Sequence, residues 1–317
     1  NDAVPVGYAI RILTGAILPE GVDTVILEED VSTDGKAIAF REGVKPGSNT
    51  RKAGEDVHKG ASLLAKGHLM RPADIAHLAS VGIEKIQLYQ RLRVAVISTG
   101  DELRDAHEPA GKGQIYDANR PMLLSLIDDL GYEPVDIGRL PDDRESIRAG
   151  LDKAAETADV ILTSGGASAG DEDHISALLT ETKAMSMWRI AIKPGRPLAL
   201  GMWRNTPVFG LPGNPVAALV CALIFARPAM SLLSGAQWRT PQGFDMPAAF
   251  SKRKKPGRRE FLRARVTDGQ VEVFASEGSG RISGLSWADG LVEIEDGARD
   301  IRPGDIVRYI PYTSFLA

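Results

Sequence analysis

The chain of 317 residues contains a single cysteine, Cys221, which excludes a fold held together by internal disulfide bonds. This cysteine lies in an apolar, helix-like run, a setting that favours a buried thiol over a nucleophile. The five histidines show no spacing typical of a zinc site. The sequence therefore argues against a small disulfide-rich secreted domain and against a zinc protein.

Long hydrophobic runs and an excess of positive charge are also missing. No uninterrupted apolar run approaches the ~18 residues needed to span a bilayer, and no signal peptide opens the chain. The formal net charge of −4 argues against a general nucleic-acid binder. We therefore expect a cytoplasmic protein that binds neither membrane nor nucleic acid. Because the chain starts at Asn1 and soon enters a strand-like pattern, we also expect that an N-terminal segment is absent from it.

What the chain does contain is enough apolar sequence for two or three folded domains, with 43% hydrophobic and 25% charged residues. We predict that residues 1–55 are β-rich, with strands near 9–13 and 24–27, and form part of a domain whose N-terminal portion is missing. Residues 56–90 are predicted to connect the N-terminal domains and to hold one short helix that begins near Pro72.

Strand-like and helix-like patterns alternate between residues 91 and 235. Repeated alternation of this kind predicts an open, mostly parallel sheet with helices on both faces, and ligands in such sheets bind beyond the carboxyl ends of the strands. The predicted strands lie near 93–98, 134–137, 159–163, 188–192 and 208–210, and the predicted helices at 119–130, 143–157 and 215–233.

Residues 238–317 alternate apolar and polar side chains, with turn signals at Asp268-Gly269 and Pro303-Gly304. This pattern predicts a small C-terminal β-barrel domain. The basic run at 252–259 is interpreted as the solvated end of a hairpin. The predicted fold class is therefore α/β, with a β-rich domain before the α/β domain and a barrel after it.

A loop rich in small residues and then in acids follows the predicted strand at 159–163. Small residues let backbone N–H groups approach a phosphate closely, and carboxylates can hold a hard cation such as Mg²⁺. The loop therefore predicts a site for a phosphorylated ligand beside a metal, whereas a glycine turn with solvated acids is the alternative. The small residues include Ser164, Gly165, Gly166 and Ser168, and the acids are Asp171, Glu172 and Asp173.

Two further loops, at 98–103 and 210–215, also follow predicted strands and are expected at the same edge of the sheet. The first carries Glu102, which is either a cleft acid or a surface acid. Asp142 and Asn119 are interpreted as helix caps or as ligand contacts. The turn that carries Lys193 and Arg196 is interpreted either as a clamp on an oxyanion or phosphate or as a solvated loop.

Nine short motifs occur in order along nearly the whole chain. Together they resemble the molybdopterin molybdenumtransferase family of the MoeA type, which is related to the E domain of gephyrin. The motifs are Ile12-Leu-Thr-Gly-Ala-Ile-Leu-Pro-Glu-Gly-Val-Asp, Arg51-Lys-Ala-Gly-Glu-Asp, Ser98-Thr-Gly-Asp-Glu-Leu, Gln114-Ile-Tyr-Asp-Ala-Asn-Arg, Ser164-Gly-Gly-Ala-Ser-Ala-Gly-Asp-Glu-Asp, Lys193-Pro-Gly-Arg-Pro, Gly210-Leu-Pro-Gly-Asn-Pro-Val, Gly257-Arg-Arg-Glu-Phe-Leu-Arg-Ala and Gly278-Ser-Gly.

The resemblance implies an enzyme that inserts molybdate into adenylylated molybdopterin with Mg²⁺ and releases AMP. It also implies a homodimer whose cleft lies between the α/β domain of one subunit and the second domain of the other. A molybdopterin adenylyltransferase and molybdoenzymes are the further partners expected. Motif by motif, the catalytic positions are Glu102, Asp142, Asp173, Thr14 and Asp56, the metal ligands are Asp173, Glu102 and Asp171, and the substrate-binding positions are Thr99, Gly100, Ser164, Gly165, Gly166, Ser168, Lys193, Arg196, Pro212, Gly213, Asn214 and Pro215.

Two other functions fit the same resemblance. The first is a non-catalytic dimeric scaffold of the gephyrin E type, which the presence of Glu102, Asp142 and Asp173 disfavours. The second is a molybdopterin adenylyltransferase, which the β-rich regions on either side of the α/β domain disfavour. The resemblance therefore favours the molybdenum-inserting enzyme.

Overall fold

The computed structural model describes residues 3–165, 174–181 and 185–316. Contacts divide the chain into two compact units. The first comprises Asn1–Ala65 and Met70–Lys85, and the second comprises Lys66–Leu69 and Ile86–Ala317. The α/β region and the C-terminal β region thus belong to one unit.

The first unit has little regular structure in its described part. A short 3₁₀ turn (Glu28–Asp30) precedes an antiparallel pair formed by β1 (Val31–Thr33) and β2 (Ile38–Phe40), and helix α1 follows (Pro72–Ser80). Pro72 opens α1, where its missing N–H costs no hydrogen bond.

The strands predicted near 9–13 and 24–27 were wrong, because neither segment forms a strand. The alternating segment at 9–13 has no buried face within the described part of this unit. Ile10 and Leu13, for example, are 53% and 76% exposed. Without a buried face, alternation alone does not hold a strand in register.

The second unit is built around a six-stranded mixed sheet in the described part of the chain. Its order is β6-β3-β7-β11-β10-β8 in the numbering that follows. The strands up to this point in the chain are β3 (Arg93–Thr99), β4 (Leu103–Arg104), β5 (Ile115–Tyr116), β6 (Glu133–Leu140), β7 (Val160–Ser164), β8 (Met185–Arg189), β9 (Ile192–Lys193), β10 (Pro197–Trp203) and β11 (Thr206–Leu211). The helices are α2 (Asn119–Asp129), α3 (Arg144–Thr157), α4 (His174–Glu181), α5 (Pro215–Cys221) and α6 (Arg227–Leu233), with a π-helical segment (Ala222–Ala226) between the last two.

Four neighbouring strands of this sheet, β6, β3, β7 and β11, run parallel, which confirms the predicted α/β class. Strand β10 was not predicted, and it pairs antiparallel with β11, which follows it in the chain. Its turn is formed by Arg204 and Asn205, which both have positive φ, 45° and 68°. Such a turn matches the twist of a two-residue hairpin, but without a glycine it leaves a weak signal in the sequence.

Alternate residues of β3 pack on opposite faces of the sheet. Val96 belongs to a core formed with Leu123 of α2, whereas Ile97 belongs to a second core formed with Leu151 of α3. All four side chains are fully buried, and burial of each stabilises the fold by about 1.5–3 kcal/mol. The continuous apolar run of β3 therefore requires helices on both faces.

The helical stretch Pro215–Leu233 is long and apolar enough to cross a membrane. Most of its apolar residues are instead buried inside this unit, where they pack beneath the sheet. The core helix of a large α/β unit has the same composition as a membrane span, so we interpret this stretch as a core element.

The C-terminal region forms a second sheet, and its two edge strands are linked by a single bridge between Ala248 and Val271. Strand β9 of the α/β region pairs with it in parallel, through Ile192 and Arg259. A closed barrel stays a prediction. The elements are β12 (Phe244–Pro247), β13 (Lys252–Lys254), β14 (Arg259–Thr267), β15 (Gln270–Val273), α7 (Ser283–Trp287), β16 (Gly290–Ile294), β17 (Arg299–Ile301), β18 (Ile306–Pro311) and α8 (Thr313–Leu316), and the sheet order is β12-β18-β16-β14-β15.

The basic run at 252–259 is only partly solvated, so the interpretation of this run as a solvated hairpin end was wrong for two of its lysines. Lys254 is 2% exposed, and its ammonium donates to the carbonyl oxygens of Asp296 at 3.1 Å and Gly297 at 2.9 Å. Lys252 is paired with carboxylates. Carbonyl and carboxylate oxygens replace water around both ammonium groups, which the sequence pattern did not show.

Candidate active site

The loops after β3, β7 and β11 meet at the carboxyl edge of the central sheet. Gly165, after β7, has a φ of 90°, and a Cβ on it would lie 2.8 Å from the carbonyl oxygen of Thr99, the last residue of β3. A Cβ on Gly213, after β11, would lie 3.9 Å from the Cα atom of Gly165. The approach at Gly165 requires a residue without a Cβ, and the three loops converge as predicted.

Asn119 joins two of these loops through its side-chain amide. Its Nδ2 donates to the hydroxyl of Ser164 and to the carbonyl oxygen of Gly213, both at 2.7 Å. Asn119 does not cap α2 with its side chain, because Asp117 accepts the backbone N–H groups of Asn119 and Arg120 there, both at 3.1 Å. The capping aspartate leaves the asparagine amide available to hold the edge together.

The loop after β6 contacts the loop after β3 at Asp142 and Asp101. The backbone N–H of Asp142 donates to Asp101 at 3.1 Å. The neighbouring Asp143 caps α3 by accepting the N–H of Ser146 at 2.9 Å, and hydrogen bonds from Ser146 hold the pKa of Asp143 below its usual value. Asp142 therefore lies at the same edge as Asp101, beside a helix cap rather than in it.

Glu102 turns back over the backbone of its own loop. A Cβ on Gly100, whose φ is 144°, would lie 2.5 Å from the Glu102 Oε2 atom. Within residues 3–165, 174–181 and 185–316, no lysine or arginine pairs with this carboxylate. Gly100 thus allows this carboxylate to lie close against the edge of the sheet.

The structure does not test the roles of several predicted site residues. Gly166, Ser168, Asp171 and Asp173 lie outside the described residues. Thr14 and Asp56 are exposed residues of the first unit, and their roles stay predictions. Among the residues that the structure describes, no group of three His, Cys, Asp or Glu side chains is placed to hold a metal ion.

A cavity of about 550 Å³ opens beside these loops, within the second unit. The start of α5 closes one side of it, where the Val216 N–H donates to the Ser279 carbonyl oxygen at 3.1 Å. Of the predicted substrate-binding residues, Thr99, Gly100, Ser164 and Pro215 do not line the cavity, whereas Gly165, Lys193, Arg196, Pro212, Gly213 and Asn214 do.

The cavity carries more positive than negative charge. Its charged side chains are Lys193, Arg196, Arg258 and Glu277. In the described part of the chain, neither arginine pairs with a carboxylate, whereas Lys193 contacts Glu277 at 2.5 Å. Two guanidinium groups beside glycine-rich backbone form a site suited to a tetrahedral oxyanion or a phosphate.

The residues from the C-terminal region were missed as members of this site. Arg258, Glu277 and Ser279 all line the cavity. Two signals were present, because Arg258 and Ser279 fall in the motifs Gly257-Arg-Arg and Gly278-Ser-Gly. Both motifs were assigned to a separate barrel, and the pairing of β9 with β14 that brings them to the α/β region is a long-range contact.

Cys221 lies beneath the turn that carries Lys193 and Arg196, with its Sγ 3.6 Å from the Gly195 carbonyl oxygen. Burial raises the pKa of this thiol to about 12, as expected for a structural rather than a nucleophilic cysteine.

We expect iodoacetamide at pH 8 to leave Cys221 unlabelled in the native protein and to label it fully in the unfolded protein, as measured by intact mass. Native labelling at the unfolded rate would contradict the burial.

Models of known families match three successive parts of the chain. The MoeA N-terminal region (domain I and II) matches residues 1–82, the probable molybdopterin binding domain matches residues 95–231, and the MoeA C-terminal region (domain IV) matches residues 245–312. The order of these matches is the order of the motifs along the sequence.

Relatives match over most of their length as well. Molybdopterin molybdenumtransferase of Haemophilus influenzae is 38% identical over 98% of this chain and 79% of the relative. Molybdopterin molybdenumtransferase 2 of Mycobacterium tuberculosis is 33% identical over 93% of this chain and 75% of the relative. The crystal structure of the molybdopterin biosynthesis MoeA protein from Pyrococcus horikoshii OT3 superposes with a TM-score of 0.83, at 31% identity, over 98% of this chain and 77% of that one. The chain belongs to the molybdopterin molybdenumtransferase (MoeA) family.

Proposed function

We propose that the protein inserts molybdate into adenylylated molybdopterin and releases AMP and the molybdenum cofactor. The observation that carries this proposal is the cationic cavity at the carboxyl edge of the sheet, in a chain of this family. The substrate pair is anionic throughout, since molybdate and the phosphoanhydride both carry negative charge. A cavity with glycine-rich backbone and two arginines that pair with no carboxylate among the described residues suits both groups.

Within this cavity each residue type has a separate task. Arg196 and Arg258 present planar forks of N–H donors that suit two oxygens of a tetrahedral anion. The backbone around Gly165 and Gly213 leaves room for a phosphate, because no Cβ is present to block its approach. Asn119 keeps the loops that carry both glycines together. The site thus positions the two anions for transfer.

We also propose that Glu102, together with Asp171 and Asp173, holds Mg²⁺. Glu102 supplies the hard oxygen donors that this ion prefers, and none of the described lysines and arginines pairs with it. When bound, Mg²⁺ would neutralise charge on the phosphoanhydride as AMP leaves. Asp142, Thr14 and Asp56 are proposed as further catalytic positions on the basis of the family motifs.

The proposal extends to assembly and location. We propose a cytoplasmic homodimer that takes its substrate from a molybdopterin adenylyltransferase and passes the cofactor to molybdoenzymes. Exposed apolar side chains of the first unit support an association surface, since a lone soluble chain rarely exposes many large apolar residues together. They include Val6, Tyr8, Ile10, Leu13 and Ile17.

The reaction is tested by AMP release from adenylylated molybdopterin. We expect AMP to appear only when both molybdate and Mg²⁺ are present. Arg258→Gln is expected to raise the KM for molybdate by about tenfold, because one charge-assisted contact to the anion is lost. Arg253→Gln is the matched control, since Arg253 lies in the same basic run but is 91% exposed and has only a 3.8 Å contact with Asp300.

Four outcomes would contradict the proposal. AMP release that does not depend on molybdate would remove the insertion reaction. Equal kinetics for Arg258→Gln and Arg253→Gln would remove the anion site from this cavity. A dimer without any turnover would favour the scaffold, whereas adenylylation of molybdopterin from ATP would favour the adenylyltransferase.

A further inference from the structure

Four side chains of alternating charge form a ring, and two of them, Lys193 and Glu277, line the cavity. Glu277 contacts the ammonium of Lys193 at 2.5 Å through one carboxylate oxygen and the ammonium of Lys252 through the other. Lys252 also lies 2.9 Å from Glu260, and Glu260 lies 3.8 Å from Lys193. The ring has no net charge, so Lys193 is compensated by carboxylates from the C-terminal region.

The two halves of the ring differ in burial. The side chains of Lys252 and Glu260 are each 9% exposed, which restricts their movement. Those of Lys193 and Glu277 are 33% and 46% exposed. Glu277 lies on the segment between β15 and α7, and it lines both the 550 Å³ cavity and a neighbouring cavity of about 300 Å³. The exposed pair can therefore exchange partners, whereas the buried pair cannot.

Glu277 is a carboxylate and not a carboxylic acid at neutral pH. Burial raises its pKa, but hydrogen bonds from Lys193 and Lys252 outweigh that effect and hold the pKa below its usual value. An anion that enters the cavity therefore meets the negative charge of the ionised Glu277 next to Lys193. Close contact of the anion with Lys193 has to overcome repulsion by Glu277.

We propose that Glu277 is a displaceable counter-ion of Lys193 that sets the affinity of the cavity for its oxyanion. The inference rests on the proposed function, because it takes molybdate as the entering dianion. The dianion is held first by Arg196 and Arg258, and Lys193 then leaves Glu277 to contact it. Glu277 keeps its contact with Lys252 during the exchange, so no carboxylate is left without a cation.

The return step explains why such a counter-ion is useful. A site with three uncompensated cations would bind any dianion tightly and release it slowly. When the anion departs with the product, Glu277 contacts Lys193 again and restores the neutral ring. Glu277 is thus a positioning residue, which acts on the substrate through Lys193.

The test is calorimetric titration of the intact protein with sodium molybdate alone. Glu277→Gln keeps the size of the side chain and removes the competing charge, so we expect molybdate to bind about tenfold more tightly. The KM for molybdate in AMP release should fall by a similar factor. Glu295→Gln is the matched control, since Glu295 is an exposed carboxylate of the same C-terminal region, and it should leave both values unchanged.

A double-mutant cycle separates this role from a structural one. In a Lys193→Gln background, Glu277→Gln should change the molybdate affinity by less than about twofold, because the contact under test is already gone. If Glu277→Gln fails to fold, as judged by its melting curve, Glu277→Asp replaces it. The shorter acid draws back from Lys193, so molybdate should again bind more tightly than to the wild type.

Each outcome of the molybdate titration either supports or contradicts the counter-ion. Tighter binding by the Glu277 variant supports the counter-ion, including the case in which the wild type shows no measurable binding. Unchanged binding, weaker binding, or no binding by either protein overturns it. The proposed function stands or falls separately, on whether AMP release depends on molybdate.

Discussion

Replacing Gly165 by alanine should lower AMP release by about a hundredfold and destabilise the fold by about 3 kcal/mol. The added Cβ would lie 2.8 Å from the Thr99 carbonyl oxygen and 3.2 Å from its Oγ1 atom. The first neighbour is backbone of the buried strand β3, so it cannot move aside as the end of a side chain would. The φ of 90° adds strain for any residue with a Cβ.

The consequence for activity follows from where the clash lies. The loops after β3 and β7 have to separate, and Gly165 is part of the cavity wall that faces Gly213. Unfolding in denaturant and AMP release measure the two effects. Gly213→Ala is the control for stability, because its Cβ would meet only the Gly165 Cα atom, at 3.9 Å. Equal unfolding midpoints for the two variants would show that the close approach is not tight.

The central sheet was predictable from sequence because its signals are local and agree with one another. Strand β3 is a continuous apolar run, and α3 combines an aspartate cap with an apolar stripe that includes Ile147 and Leu151. Loops that follow such strands must meet at one edge of a parallel sheet. The meeting of Thr99, Gly165 and Gly213 follows from that topology alone.

What sequence could not provide was the set of partners across long separations. Lys193 was interpreted either as part of an anion clamp or as part of a solvated loop, and neither interpretation included the contact of its ammonium with a carboxylate 84 residues away. Lys254 was interpreted as solvated, because the carbonyl groups of Asp296 and Gly297 that accept from its ammonium are distant in the sequence. Each contact is made by tertiary packing, to which local propensity and motif spacing are insensitive.

The strand prediction for residues 9–13 of the first unit was wrong for a related reason. Residues 9–13 carry the alternation of a strand, and the pattern was interpreted as evidence for one. Alternation predicts a strand only where one face is buried, and the apolar face of this segment is exposed. The same exposed face is what supports the proposed association surface.

Replacing Asn119 by aspartate should destabilise the protein by about 3–5 kcal/mol at pH 7.5 and nearly abolish AMP release. Asn119 is 7% exposed and donates to the Gly213 carbonyl oxygen at 2.7 Å. A carboxylate at the same position would face that oxygen without a proton to share. The Ser164 hydroxyl can rotate to donate, but a backbone carbonyl cannot, so one buried contact becomes repulsive.

The pH dependence of this variant distinguishes charge from shape. Burial and the facing carbonyl oxygen raise the pKa of the introduced carboxyl group in the folded state above its unfolded value of about 3.9. The folded state then binds a proton more tightly than the unfolded state, so the loss of stability is full above the folded pKa and shrinks as the pH falls through it. Denaturant unfolding at pH 7.5 and pH 5 measures the change. Asn214→Asp, at an exposed position without a side-chain capping bond, should show no such recovery. A defect that stays the same at both pH values would mean that the side chain of Asn119 fills space but does not hold the two loops by hydrogen bonds.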